Sequence, residues 1–246
     1  MAMTTSVSSA SSVWAIARRE VRAYFTSPVG YVVLALFLFL AGVFFATIVR
    51  DTRTAAMIGP FSNIIVLLLF LSPIITMRLF AEEKKLGTLE LLMTKPVNDW
   101  AVVVGKFLAA LFYVLLMLVP TAIYVGVLFR YGNPDLGPIL TGYLGVVLVA
   151  VSFVSLGMFA SVLTENQIIA VVLSFVFLLV FWVIDSLIGA TATFAGATAF
   201  GYLSLSTHFD DFLRGVIDVK DVVYFVSFVA FWLFATTKVL GSRKWK

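Results

Sequence analysis

Six long apolar stretches, separated by short polar gaps, fill nearly the whole chain: Val29–Val49, Phe61–Phe80, Ala101–Phe129, Ile139–Leu163, Gln167–Ile188 and Val222–Leu240. A helix rises 1.5 Å per residue, so roughly 20 residues cross a hydrocarbon core. Each stretch is long enough to span. The third is longer and must tilt or project, and Pro120 predicts a kink in it because proline removes a backbone hydrogen bond. Between the fourth and fifth, Thr164-Glu165-Asn166-Gln167 reads as a capping box in a tight turn.

The segments outside these stretches carry their own patterns. Met1–Ser12 is rich in Ser and Thr, lacks an apolar period and reads as a disordered tail. Over Val13–Thr26, Trp14, Ala17, Val21, Tyr24 and Phe25 recur at helical spacing, with Arg18, Arg19 and Arg22 on a flank. That pattern predicts an interfacial helix with its aromatics at the acyl boundary and its arginines toward phosphates. Ser27-Pro28 then breaks the chain before the first span. The run Val29–Val49 is too long for a signal peptide and ends in Arg50-Asp51 without a cleavage pattern, so it reads as a retained span. Gly189–Asp221 is apolar but too interrupted to cross, which suits two short half-helices dipping into the bilayer. The second has a start signal of its own, Thr207-His208-Phe209-Asp210, and places Asp210 and Arg214 four apart on one face.

Composition sets the class. With 62% hydrophobic and only 12% charged residues, a water-soluble domain could not hide the apolar surface. The fold class is therefore all-α, a polytopic membrane protein with six transmembrane helices in a single transmembrane domain over residues 13–246. The absence of cysteine excludes disulfides, thiol catalysis and Cys-based metal sites. A net charge of +4 does not argue for nucleic acid, because the cations sit at helix ends where anionic lipid explains them. Their distribution argues for an orientation. Twelve of the 17 Lys and Arg residues fall on the side of the two termini and five on the other, so both termini are expected in the cytoplasm.

Few residues carry candidate chemistry. His208 with Asp210 and Asp211 is a poor metal set, since that spacing does not converge all three side chains. They read as helix capping and outer-face polarity. Asp185 is the one acid inside a predicted apolar run, near its end, where a solvated carboxylate is the simpler reading. Gly105-Lys106-Phe107 fails as a phosphate-binding loop because Trp100 stands in place of the first glycine and Phe107 in place of Ser or Thr. Lys106 reads as a lysine snorkelling to the inner interface. No catalytic constellation is present in the sequence, so the chain is expected not to be an enzyme and to need no cofactor of its own.

The loop after the second stretch is the most informative. Glu82, Glu83, Lys84 and Lys85 leave the membrane, Gly87 allows a sharp turn, Leu89–Met93 makes one or two helical turns, and Pro96 stops them. Asn98 or Asp99 caps the next helix, with Trp100 at the interface. On composition this loop reads equally as a docking element or an ordinary connector.

The order of elements, the run Glu-Glu-Lys-Lys-Leu-Gly-Thr-Leu-Glu-Leu-Leu-Met-Thr-Lys-Pro-Val from Glu82, and the downstream Gly105-Lys106 resemble the permease subunit of type-2 ABC exporters. The resemblance runs from about Val13 to the end. The stretch His208–Asp218 and the closing Arg243-Lys-Trp-Lys are similar to the gliding-motility-type and multicopper-enzyme-maturation-type branch.

The resemblance implies a coupling helix over about residues 88–95 that docks on a cytosolic ATPase dimer. In it Leu91, Leu92 and Met93 are apolar knobs, with Thr88, Leu89, Glu90, Thr94 and Lys95 around them. Glu82 and Glu83 are implied at the cytosolic gate, and Trp14, Arg18, Arg19 and Arg22 as the interfacial anchor. The half-helices, with His208, Asp210, Asp211 and Arg214, are implied to close the outer end. The implied partners are that ATPase, which binds the ATP and Mg, a second permease copy or paralogue, the lipid bilayer, and an auxiliary extracytoplasmic subunit. The implied setting is a bacterial-type inner membrane, and the implied activity is export of an amphipathic substrate. The alternative is an ATPase-coupled module that transmits force to envelope proteins without moving a solute.

Overall fold

The computed structural model describes residues 9–88, 98–191 and 201–242. The expected coupling segment therefore lies outside the described residues from Leu89 to Lys95, as does the stretch 192–200 of the expected half-helices. Every regular element among the described residues is helical. The helices are α1 (Ser9–Thr26), α2 (Pro28–Thr52), α3 (Ile58–Thr76), α4 (Ala81–Lys85), α5 (Asp99–Leu118), α6 (Ala122–Tyr131), α7 (Leu136–Leu163), α8 (Gln167–Thr191), α9 (Leu205–Leu213) and α10 (Val219–Ser242).

Among the described residues, six helical segments are long and apolar enough to cross a membrane: α2, α3 continued through α4, α5 with α6, α7, α8 and α10. They are not equivalent. In the most apolar part of α3 and of α7, 72% of residues are buried, against 17% in α8 and 22% in both α2 and α10. So α3, α5 and α7 form the centre, and α2, α8 and α10 present broad apolar faces outward. Small residues let the central helices close up. A Cβ on Gly157 of α7 would lie 2.3 Å from Thr76 Oγ1 of α3, so only glycine permits that spacing.

Local chemistry explains the breaks. Pro28 takes the first position of α2, where its missing N–H costs nothing, and Ser27 stays extended before it. Val119–Thr121, around Pro120, forms a 3-10 turn between α5 and α6. Two cap assignments change. At the start of α8, Asn166 Oδ1 accepts from Ile168 N at 2.9 Å, while Thr164 Oγ1 accepts from Asn166 N at 3.1 Å. Asn166 is thus the cap, two residues later than the capping-box reading places it. At the other site, α9 begins at Leu205 after an extended Ser204, so Thr207 and Asp210 lie inside the helix and not at its start.

Helix α1 begins at Ser9, within the stretch the sequence assigns to a disordered tail. Its expected apolar face also divides. Ile16, Ala17 and Tyr24 are buried in the protein, whereas Trp14 is 71% exposed. The buried face packs most extensively on α5.

Candidate functional site: a buried ion cluster beside the charged loop

The contact of α1 with α5 is built around the adjacent pair Gly105 and Lys106. A Cβ on Gly105 would lie 2.9 Å from Ile16 Cβ and 3.0 Å from the Val13 carbonyl, so the missing side chain sets how closely α1 approaches. One residue on, Lys106 is fully buried. Its Nζ lies 3.0 Å from Glu20 Oε1 of α1 and 3.0 Å from Glu83 Oε1 of α4. Arg19 Nη2 closes the cluster, 2.7 Å from each of the same two oxygens. Lys106 is therefore no snorkelling lysine; it pairs with two carboxylates from two other helices, and Arg19 supplies the second positive charge. The ring of Phe80 lies 5.4 Å from its Nζ and shuts out water on that side.

Electrostatics follow from burial and pairing. Burial alone would raise the Glu20 carboxyl, but Lys106 and Arg19 outweigh it and hold it below the usual carboxylate range. Arg19 is held more firmly charged than usual: burial opposes its charge, but bonds to Glu20 and Glu83 prevail. Glu83 Oε2 is buried without a hydrogen-bond partner.

Glu82 belongs to a second pair. Arg78 Nε lies 2.7 Å from Glu82 Oε2, and Arg78 Nη1 donates to Ser27 Oγ at 2.7 Å. The turn between α3 and α4 is fixed from α7. Ser161 Oγ accepts from the backbone N–H groups of Phe80 and Ala81, both at 3.1 Å, and donates to the Met77 carbonyl at 2.9 Å. Lys84 Nζ donates to the Val162 carbonyl. Tyr24 Oη donates to the Ile75 carbonyl at 2.9 Å, and its ring stacks on Tyr113 of α5 at 4.8 Å.

This platform delivers the chain to Gly87, whose φ of +68° is the left-handed conformation that glycine adopts without strain. Thr88 Oγ1 donates back to the Glu83 carbonyl at 3.3 Å. The chain re-enters α5 at Asn98, whose Oδ1 accepts from Trp100 N at 3.1 Å, so Asn98 and not Asp99 is the cap. A cavity of about 380 Å3 opens between α1 and this turn, bounded by Arg19, Glu20, Tyr24, Arg78, Glu82, Glu83 and Thr88 among others. Of the expected anchor residues, Arg18, Arg22 and Trp14 lie on the exposed side of α1, while Arg19 turns back into the cluster.

The far end of the bundle holds the second group. Phe209 and Phe212 of α9 pack on α7, where a Cβ on Gly145 would lie 2.7 Å from Phe212 Cβ, and Thr141 Oγ1 donates to the Phe212 carbonyl at 2.7 Å. His208 is buried and not surface polarity. Its Nδ1 lies 2.6 Å from Asp221 Oδ1 and its Nε2 3.0 Å from the Tyr202 carbonyl, so neither ring nitrogen offers a lone pair to a metal. Asp210 and Arg214 are exposed and make no ion pair with each other, while Asp211 pairs with Lys220 at 3.3 Å. Partial burial pushes the Asp210 carboxyl up, and Arg214 offsets this only in part.

Sequence reasoning missed Glu20, Ser161 and Asp221. For Glu20 a signal existed: it sits in the helical stripe of Ile16, Ala17 and Tyr24, where a carboxylate needs a partner. For Ser161 and Asp221, one residue in an apolar run and one at a helix start, the pattern gave nothing.

A family model described as ABC-2 family transporter protein matches residues 51–235, about three quarters of the chain. No curated protein matches it. The matched region contains Lys106 and Glu83, whereas Arg19 and Glu20 precede it.

Proposed function

The chain belongs to the ABC-2 transporter family as a multi-pass membrane subunit, and we propose that it exports an amphipathic substrate using ATP hydrolysed by a separate cytosolic ATPase dimer. The observation that carries this reading is the rigid frame around residues 88–97. Ser161 pins the α3–α4 turn to α7, Lys106 ties α4 to α5 and α1, and Asn98 caps α5. A push on the segment between Thr88 and Asn98 then reaches three helices at once. In this reading the segment 88–95 docks on the ATPase, and Glu82 and Glu83 lie at the cytosolic gate. Both termini are cytoplasmic, α9 closes the outer end, and a second copy or paralogue completes the path. The exposed apolar faces of α2, α8 and α10 are available to lipid and to that second copy. The closing motifs favour the gliding-motility-type and multicopper-maturation-type branch, with an auxiliary extracytoplasmic subunit.

The test is purification of the chain from its own membranes in mild detergent, followed by ATPase assay and native mass spectrometry. Two membrane subunits with two ATPase chains and measurable hydrolysis support the reading. A single membrane chain without an ATP-hydrolysing partner contradicts it.

A further inference from the structure

His208 is the only histidine in the chain. It joins two helices. The residue belongs to α9, and its ring is paired with Asp221 and stacked on Tyr224, both in the first turns of α10. The stacked rings are 3.9 Å apart and 20° from parallel. Asp221 is completely buried, and its second oxygen, Oδ2, has no hydrogen-bond partner.

The two atoms facing the ring nitrogens are both acceptors, a carboxylate oxygen and a carbonyl oxygen. A neutral imidazole carries one N–H. In either tautomer it would set one lone pair against an oxygen. Only the imidazolium donates to both. The charge balance agrees, because a buried carboxylate short of hydrogen bonds calls for a cation beside it.

Among the described residues, none supplies a competing cation at the ring. On α10, Lys220 turns outward to Asp211 at 3.3 Å and Asp218 at 3.1 Å, and the Tyr224 phenol donates to the Leu203 carbonyl at 2.7 Å. The Tyr202 ring lies 6.5 Å away. On α8, Asp185 sits beside Gly201, and on α9 itself Asp210 and Arg214 are exposed. From α7, Gly145 and Thr141 meet α9, and neither titrates.

We propose that His208 and Asp221 form a proton-operated clasp that fastens α9 to α10 when the ring is protonated and loosens it when the ring is neutral. Other ties stay in place: Ser206 Oγ donates to the Trp182 carbonyl of α8 at 2.9 Å, and Thr141 holds the end of α9 to α7. Deprotonation therefore weakens the join of α9 to α10 without unfolding either, leaving the Asp211–Lys220 pair as a remaining polar tie between them. The clasp stands on this geometry alone. That it answers to the pH outside the cell rests on the orientation proposed above.

The single histidine makes a direct test available. The chain is purified without a histidine tag and placed in nanodiscs, and 15N-histidine labelling then reports this ring alone. Spin labels on Thr207→Cys and Val219→Cys, both exposed positions in a cysteine-free chain, report the α9–α10 distance. The clasp predicts that, as pH is raised across the range in which the protein stays folded, the ring signals pass from imidazolium to neutral. It predicts that the distance distribution broadens reversibly with the same midpoint, and that in His208→Gln the distribution no longer responds to pH. A ring that does not titrate in this range overturns the proposal. So does a ring that titrates with no change in distance, or a distance change that survives in His208→Gln. Should His208→Gln not insert stably, the two wild-type titrations still decide, because unequal midpoints overturn the clasp. Failure here leaves the transport reading untouched, since the ATPase partner is tested separately.

Discussion

Lys106 of α5, completely buried, donates to Glu20 of α1 at 3.0 Å across 86 positions of sequence. The bond joins the helix before the first span to the one that follows the charged loop. Removing one member of such a pair strands the other in a water-poor site, at a cost of about 3 kcal/mol or more. Glu20→Gln and Lys106→Met should each lower stability in detergent, and the double variant should recover much of the loss. Thermal unfolding of the four proteins checks this. Purely additive losses would show that the two residues do not act as a pair.

Acid should loosen the same joint. Lys106 and Arg19 hold the Glu20 carboxyl below its ordinary value of 4.5. Its contribution is therefore fully present above that value and is lost as pH falls through the lower folded-state value. Stability measured from neutral pH downward should drop below about pH 4.5, and Glu20→Gln should remove part of that drop. An identical acid profile in Glu20→Gln would assign the drop to other carboxylates.

Gly105 should tolerate no side chain of size. A Cβ there already meets Ile16 and the Val13 carbonyl at 2.9 and 3.0 Å. Gly105→Val should push α1 away and cost about 1–3 kcal/mol, the usual range for overpacking. Limited proteolysis that releases α1 faster than in the parent protein would register the displacement. Equal cleavage rates would mean that α1 does not depend on this contact.

Orientation is open to a direct measurement because the chain has no cysteine. Thr88→Cys should stay unlabelled by an impermeant thiol reagent in intact cells, and Thr207→Cys should be labelled. The reverse pattern would turn the protein over in the membrane and would remove the ATPase from the side of residues 88–95.

The sequence made the membrane-spanning helices legible because an apolar run near 20 residues long admits few other folds. Gly87 and Pro120 were also legible, since each carries a backbone constraint that acts locally. The ion cluster was not. Lys106 alone in an apolar helix reads as a lysine reaching for the interface, and Glu20 alone reads as one charge among arginines. Only the close approach permitted by Gly105 brings them together. His208 was misread for the same reason. Its neighbours in sequence, Asp210 and Asp211, suggested a polar surface, whereas its partner Asp221 lies 13 positions on, across the turn into α10.

The most direct test of the account places a photo-crosslinking amino acid at Leu91, and in a second protein at Met93, in cells that make the chain from its own genome. Irradiation should join each to an ATP-binding protein, with the same label at the exposed Thr207 giving no such adduct. Adducts to lipid alone, or to the same proteins from all three positions, would contradict the docking of an ATPase at this loop.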